Sequence, residues 1–308
     1  TSMFYPLTVT AREDNTSIGI SASGEGIEVT VEYSTDGETW YPYTSIVEGG
    51  WPYMSAVLNA GESMYFRGNN ASYATASLSN RFVFSKGVDL SGNIMSLCSS
   101  QGYERVQTLD NFAFYRLFWG GYIVDASKLV LPVRELSKSC YEDMFRGCSH
   151  LTALPQILAR KMSEKSCYSM FSGCVRLEVA PALTAEILAN LCYGEMFNGC
   201  TSLTTPPALL ATELATACYL GMFNGCTSLV SAPLLPAEAL ASSCYYRMFD
   251  GCSRLEKVTL NATSVSTAST QLWLRNVAAA GTVNCPSTLS LETDSYNGIP
   301  IGWNRVNI

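Results

Sequence analysis

Twelve cysteines and a single histidine, His150, are the residues whose type alone suggests chemistry in this 308-residue chain. A structural zinc site wants cysteine pairs about two to four residues apart, with further ligands close by. Here the pairs run seven or eight apart, as in Cys167/Cys174 and Cys192/Cys200. On a helix, eight residues place two thiols about 12 Å apart, too far for a shared metal or a disulfide. Buried free thiols that act as small apolar groups are therefore expected, with a disulfide involving Cys98 or Cys285, or a metal, as the alternatives. His150 follows Cys148 closely and raises a nucleophile and base pair. Its equivalents further along are Arg176, Ser202, Ser228 and Arg254, the pattern of a solvent-facing position. No phosphate-cradling glycine loop, H-E-x-x-H or G-x-S-x-G motif is present. An enzyme, a cofactor and a metal are accordingly not expected.

The cysteines mark a repeat. Cys148, Cys174, Cys200, Cys226 and Cys252 are spaced by 26, and so are Met144-Phe145, Met170-Phe171, Met196-Phe197, Met222-Phe223 and Met248-Phe249. Gly147 and Leu151 keep the same step, and each unit reads Cys-Tyr, Met-Phe-x-Gly-Cys-x-x-Leu, then a proline and an Ala/Leu-rich stretch. Such a period belongs to solenoids and arrays. Leu240, Cys244, Met248 and Cys252, spaced by four, suggest one face of a helix, with Pro236 suited to its start and Gly251 to its end. Thr201–Thr205 and Thr227–Ser231 suggest one short strand per unit. In the second copy Cys167 lies one residue late, which suggests a kinked or split helical segment. A lone unit buries too little to offset its ordering, so stacking and end caps are required. Phe114 to Gly121 resembles a degenerate leading copy, and Gln271–Arg275 with Asn297–Trp303 a closing one.

The first ninety residues differ in kind. Asp36-Gly37 suggests a hairpin turn between Val29–Ser34 and Glu38–Tyr43, and Leu7–Ala11, Ile18–Ala22, Ser63–Arg67 and Arg81–Phe84 read as strands. An Ig-like β-sandwich is expected there. Residues 1–90 carry ten acidic and four basic side chains, nearly all of the net −7, whereas residues 137–260 carry ten and nine. That shift supports a boundary near residue 90. The expected organisation is a β-sandwich over 1–90, a leading cap over 91–136, five regular repeats over 137–260 and a C-terminal cap over 261–308. The fold class is mixed α and β, a leucine-rich-repeat-like solenoid with a short strand and a helical segment per repeat. A 47% hydrophobic, 15% charged chain is not disordered, and its acidic balance argues against nucleic acid. No apolar run reaches the ~18 residues of a spanning helix. Thr1–Pro6 shows no signal-peptide features, which fits either a cytosolic chain or a mature exported one.

The Cys-Tyr-x-x-Met-Phe-x-Gly-Cys-x-x-Leu repeat resembles the BspA-like leucine-rich-repeat proteins displayed on the surface of gut and oral bacteria. Leu235-Pro236-Ala237 is similar to that family's link between strand and helix. Gly92–Leu97 resembles its lead-in segment, Asn297–Trp303 its terminal cap, and Val31–Ser34 with Thr39-Trp40 its N-terminal β domain. The resemblance implies export as a secreted protein or lipoprotein and adhesion at the cell surface, with no family-wide catalytic residue. The expected partner is a host extracellular-matrix or cell-surface protein, or a glycan, bound by a monomer.

Arg146, Ser172, Asn198, Asn224 and Asp250 occupy one register between Phe and Gly and are expected to form an exposed recognition row. Tyr141, Tyr193, Tyr219 and Tyr245 suggest a structural ladder with wet hydroxyls. Among the N-terminal aromatics, one tryptophan is expected in the sandwich core. Trp51 and Tyr53, next to Gly49-Gly50, are the exposed set and an alternative carbohydrate-stacking platform. Asp36, Glu38, Glu25 and Glu28 crowd two turns without a calcium-loop pattern and read as solvated charge.

Overall fold

The computed structural model describes residues 2–308. Strands β1 (Leu7–Ala11), β2 (Thr16–Ala22), β3 (Thr30–Ser34), β4 (Tyr41–Thr44), β5 (Ile46–Val47), β6 (Tyr53–Leu58), β7 (Ser63–Gly68), β8 (Asn80–Phe84) and β9 (Val88–Asn93) form the N-terminal region. Then come β10 (Ile123–Leu131), β11 (Gln156–Ile157), β12 (Lys257–Thr259), β13 (Gly281–Cys285) and β14 (Trp303–Asn307). A seven-stranded sheet runs in the order β11-β10-β9-β1-β7-β3-β4, and β2 pairs with β5, β6 and β8 in a second sheet. Alternation directs one side of each strand inward: Met64 and Phe66 of β7 are fully buried while Tyr65 and Arg67 are not. Phe66 meets Phe82 of the second sheet edge-on at 5.1 Å. Both tryptophans of this region stay out of its core, which is built on Phe66, Tyr73 and Phe82 instead. The hairpin closes at Tyr33 and Tyr41, so Asp36-Gly37 sits in a long loop rather than a two-residue turn.

The boundary expected near residue 90 falls inside β9, which pairs antiparallel with β1 on one side and parallel with β10 on the other. The sheet thus passes from an antiparallel N-terminal region into a parallel stack. A parallel trio, β12-β13-β14, ends that stack. Between the two, the expected strand of each repeat shrinks to single parallel bridges such as Val179 to Thr205 and Ser231 to Lys257.

The expected helix per repeat is absent. About 5% of residues are helical, and the only α-helix among the described residues is the single turn α1 (Thr267–Thr270). The chain is a β-solenoid, not a mixed α/β leucine-rich-repeat array. Where a helix was expected, each coil carries a staircase of overlapping β-turns. In the first regular coil Cys140, Glu142, Met144, Arg146 and Cys148 each donate their amide to the carbonyl three residues back. The intervening amides leave the coil: Tyr141, Asp143, Phe145 and Gly147 donate to Ser166, Tyr168, Met170 and Ser172 of the next. Every fourth residue, here Ser139, Asp143 and Gly147, has positive φ (53°, 55° and 73°), as the third residue of a type II turn requires. A helix satisfies all its amides internally, whereas this staircase spends half of them on the neighbouring coil. The coils are therefore cross-linked through their backbones.

The slipped second copy is also corrected. Cys167 donates to Cys192 in the same ladder position in which Tyr141 donates to Ser166 and Tyr193 to Cys218. It thus stands in the tyrosine column, with Ser166 in the cysteine column, and the 26-residue register is unbroken. The leading coil is offset by 27 instead: Phe118 donates to Met144 and Gly120 to Arg146, and Phe118, not Trp119, joins the phenylalanine column.

Two aromatic spines follow from that register. Phe82, Phe118, Phe145, Phe171, Phe197, Phe223 and Phe249 succeed one another at 5.2–5.9 Å. Tyr193, Tyr219, Tyr245 and Trp273 form the second at 6.2–6.4 Å. Trp273 closes the array, its indole N–H donating to Gly298 O at 2.9 Å.

Candidate functional site

The staircase sorts its side chains into columns. Cys, Tyr, Met, Phe and Cys point inward, and in the third coil Cys192, Tyr193, Met196, Phe197 and Cys200 are all buried. All twelve cysteines are free, and all but Cys98 are buried. Burial pushes the thiols of Cys148 and Cys200 up to about 12, so thiolate, the reactive form, is suppressed. The second cysteine column has a structural use. Cys148, Cys174, Cys200, Cys226 and Cys252 each donate Sγ–H to a phenylalanine carbonyl of the preceding coil, at 3.0–3.4 Å. Cys148 is thus engaged with Phe118, while His150 stacks flat on Tyr122 at 3.9 Å with Nδ1 beside Ser149 Oγ. The cysteine and the histidine are not brought together.

The tyrosine rings are likewise internal, 0–4% exposed, so the ladder presents no ring to a ligand. Tyr141, beside Cys167 in its column, has a hydroxyl with no partner among the described residues. This hydroxyl, expected to face solvent, is buried.

The outer columns differ from coil to coil. Arg146, Ser172, Asn198, Asn224 and Asp250 do form a row, since their carbonyls accept the amides of Gly120, Gly147, Gly173, Gly199 and Gly225 at 2.8 Å. Exposure along the row is uneven. Arg146 is exposed, Asn198 and Asn224 are half-buried, and Ser172 and Asp250 are buried. Ser172 turns its hydroxyl to Asn198 O. Asp250 is clamped by Arg275 at 2.6 Å and Arg247 at 3.0 Å. Burial works against its charge, but the two arginines outweigh it and lower its pKa. At the other end Asp143 lies between Arg116 and Arg146, and Arg116 covers the rings of Tyr115 and Trp119 at 5.0 and 4.8 Å.

In the N-terminal region Trp51 is 77% exposed and rests edge-on against Tyr53 at 5.1 Å. Trp40 lies instead beneath the Arg67 guanidinium at 4.1 Å. Asp36 accepts the amides of Thr39 and Glu38 and the Ser34 hydroxyl, and Glu28 accepts the Gly26 amide. The turn carboxylates thus serve their own loops. Tyr65 and Arg67 were missed as surface candidates, although the alternation Ser63-Met64-Tyr65-Phe66-Arg67 already sets them opposite the buried pair.

No protein-family model, no curated protein and no solved structure matches this chain. What the fold defines is a class, a β-solenoid with a repetitive interior and a variable outer staircase. No helix among the described residues is long and apolar enough to cross a membrane.

Proposed function

We propose that this chain is a surface-displayed, non-catalytic recognition protein of the BspA-like type, holding a host or neighbouring-cell macromolecule on the outer face of its staircase. One observation carries the reading. In four of the five regular coils the inner columns repeat Cys, Tyr, Met, Phe and Cys, while the outer columns change: Trp119 is followed by Arg146, Ser172, Asn198, Asn224 and Asp250, and Tyr115 by Glu142, Tyr168, Gly194, Leu220 and Tyr246. A rigid backbone with changing side chains spreads many modest contacts over a long surface, the usual way solenoids bind. Pull-down from extracellular-matrix proteins and mucins tests it. Charge introduced at the two half-buried row positions that hold no ion pair among the described residues, Asn198→Lys with Asn224→Lys, is expected to weaken capture without moving the unfolding midpoint. Unchanged capture would remove this face from consideration.

A further inference from the structure

A groove crosses the outer face of the seven-stranded sheet. Its deeper part, about 420 Å³, is lined by Trp40, Arg67, Asp36, Tyr65, Tyr5 and Tyr103. A second part, about 250 Å³, continues past Tyr5 and Tyr65 to Thr8, Ser91 and Lys128. Strand pairing makes its floor one row: Tyr65 stands opposite Thr8, Thr8 opposite Ser91, and Ser91 opposite Lys128.

The walls are fixed. Arg67 donates to Glu32 at 3.1 Å while covering Trp40. The Tyr103 hydroxyl donates to Phe4 O at 3.1 Å, which ties two loops together and leaves Tyr5 60% exposed beside the groove. Asp36 takes its three bonds on Oδ1, leaving Oδ2 available. Those amides of Thr39 and Glu38, then the Ser34 hydroxyl, hold its carboxyl down at about 2, so it is an ionised acceptor at neutral pH. Lys128 is exposed and makes no ion pair among the described residues.

We propose that this groove binds an oligosaccharide, with sugar rings lying on Tyr5 and Tyr65 and hydroxyls held by Asp36, Arg67 and Lys128. Its deeper part has the size of a small-ligand site, about 300–1,000 Å³. Its lining alternates flat aromatic surface with charged donors and an acceptor, which suits polyhydroxylated rings rather than an apolar ligand. A peptide adding as a strand is disfavoured, because β7, β1 and β9 are each paired on both sides and offer no free edge. The site is separate from the solenoid staircase, so either can fail without the other.

The test is titration of the full chain with cello-oligosaccharide, N-acetyllactosamine oligosaccharide, hyaluronan fragments and oligogalacturonate, read by calorimetry and tryptophan fluorescence. At least one probe is expected to bind, and the neutral and acidic arms assign the sugar type. Tyr5→Ala and Lys128→Ala, both at exposed side chains, are each expected to weaken binding about tenfold, near 1.4 kcal/mol, with the unfolding midpoint unchanged. Trp51→Ala is expected to leave binding intact. Silence of every probe, or binding that survives Tyr5→Ala combined with Tyr65→Ala, overturns the proposal.

Discussion

Ser243→Gly separates a turn staircase from a helix by the sign of its effect. Ser243 has φ +55°, and its hydroxyl makes no hydrogen bond among the described residues. Holding an L-residue in that region costs about 1–2 kcal/mol, which glycine escapes. Glycine in turn adds about 0.5–1 kcal/mol of unfolded-chain entropy. The net expectation is about 0.5–1 kcal/mol of stabilisation. Gly199→Ala is the converse. At φ +74°, its added Cβ would meet only Gly173 atoms at 3.9 Å, an ordinary contact, so backbone strain alone acts and about 0.5–1 kcal/mol is lost. In a helix both signs invert, since glycine there costs up to about 1 kcal/mol relative to alanine. Urea unfolding of the two variants is the assay. A lowered midpoint for Ser243→Gly together with a raised one for Gly199→Ala would refute the staircase.

The other expectations concern the core and the ion pairs. Phe197→Ala, at a fully buried ring stacked between Phe171 and Phe223, should cost about 3–5 kcal/mol, measured by the same unfolding assay; a loss below 1 kcal/mol would mean that the spine is slack. Thiol titration at pH 8 should find at most Cys98 reactive in the native protein and all twelve in denaturant, because burial raises their pKa values; few thiols in denaturant would mean disulfides. Asp250 has a lowered folded pKa, so its stabilisation is complete above the unfolded value near 3.9 and fades as pH falls through the folded one. The midpoint gap between wild type and Asp250→Asn should correspond to less than about 1 kcal/mol, given the partly exposed arginines, and should close in acid. A gap that widens in acid would contradict the clamp.

The 26-residue period, the inward columns and the short N-terminal strands were legible because burial imposes strict residue types at those places. The staircase was not, for two physical reasons. Spacing by four mimics a helix over one or two turns, and only the exact repetition at Leu240, Cys244, Met248 and Cys252 argues otherwise, since a helix drifts about 40° per such step. The positive-φ positions that betray type II turns are mostly held by Ser139, Lys165, Leu191, Ala217 and Arg247, none of which announces a left-handed conformation. Cys167 misled for a simpler reason. A cysteine standing in a tyrosine column beside a vacated cysteine column looks like a shifted cysteine. At the recognition row, spacing gave the common register, but the clamping of Asp250 by Arg275 depends on a residue 25 positions away in the closing coil. The groove at Trp40 was hidden because Tyr5, Tyr65 and Tyr103 are far apart in the sequence and are brought together only by the fold.

Far-ultraviolet circular dichroism of the full chain tests the central claim most directly. A helix of about ten residues in each of five repeats would make roughly a sixth of the chain helical, whereas the staircase leaves about 5%. The account predicts a spectrum without the double minimum of an α-helix. A clear helical minimum that melts with the array would contradict it.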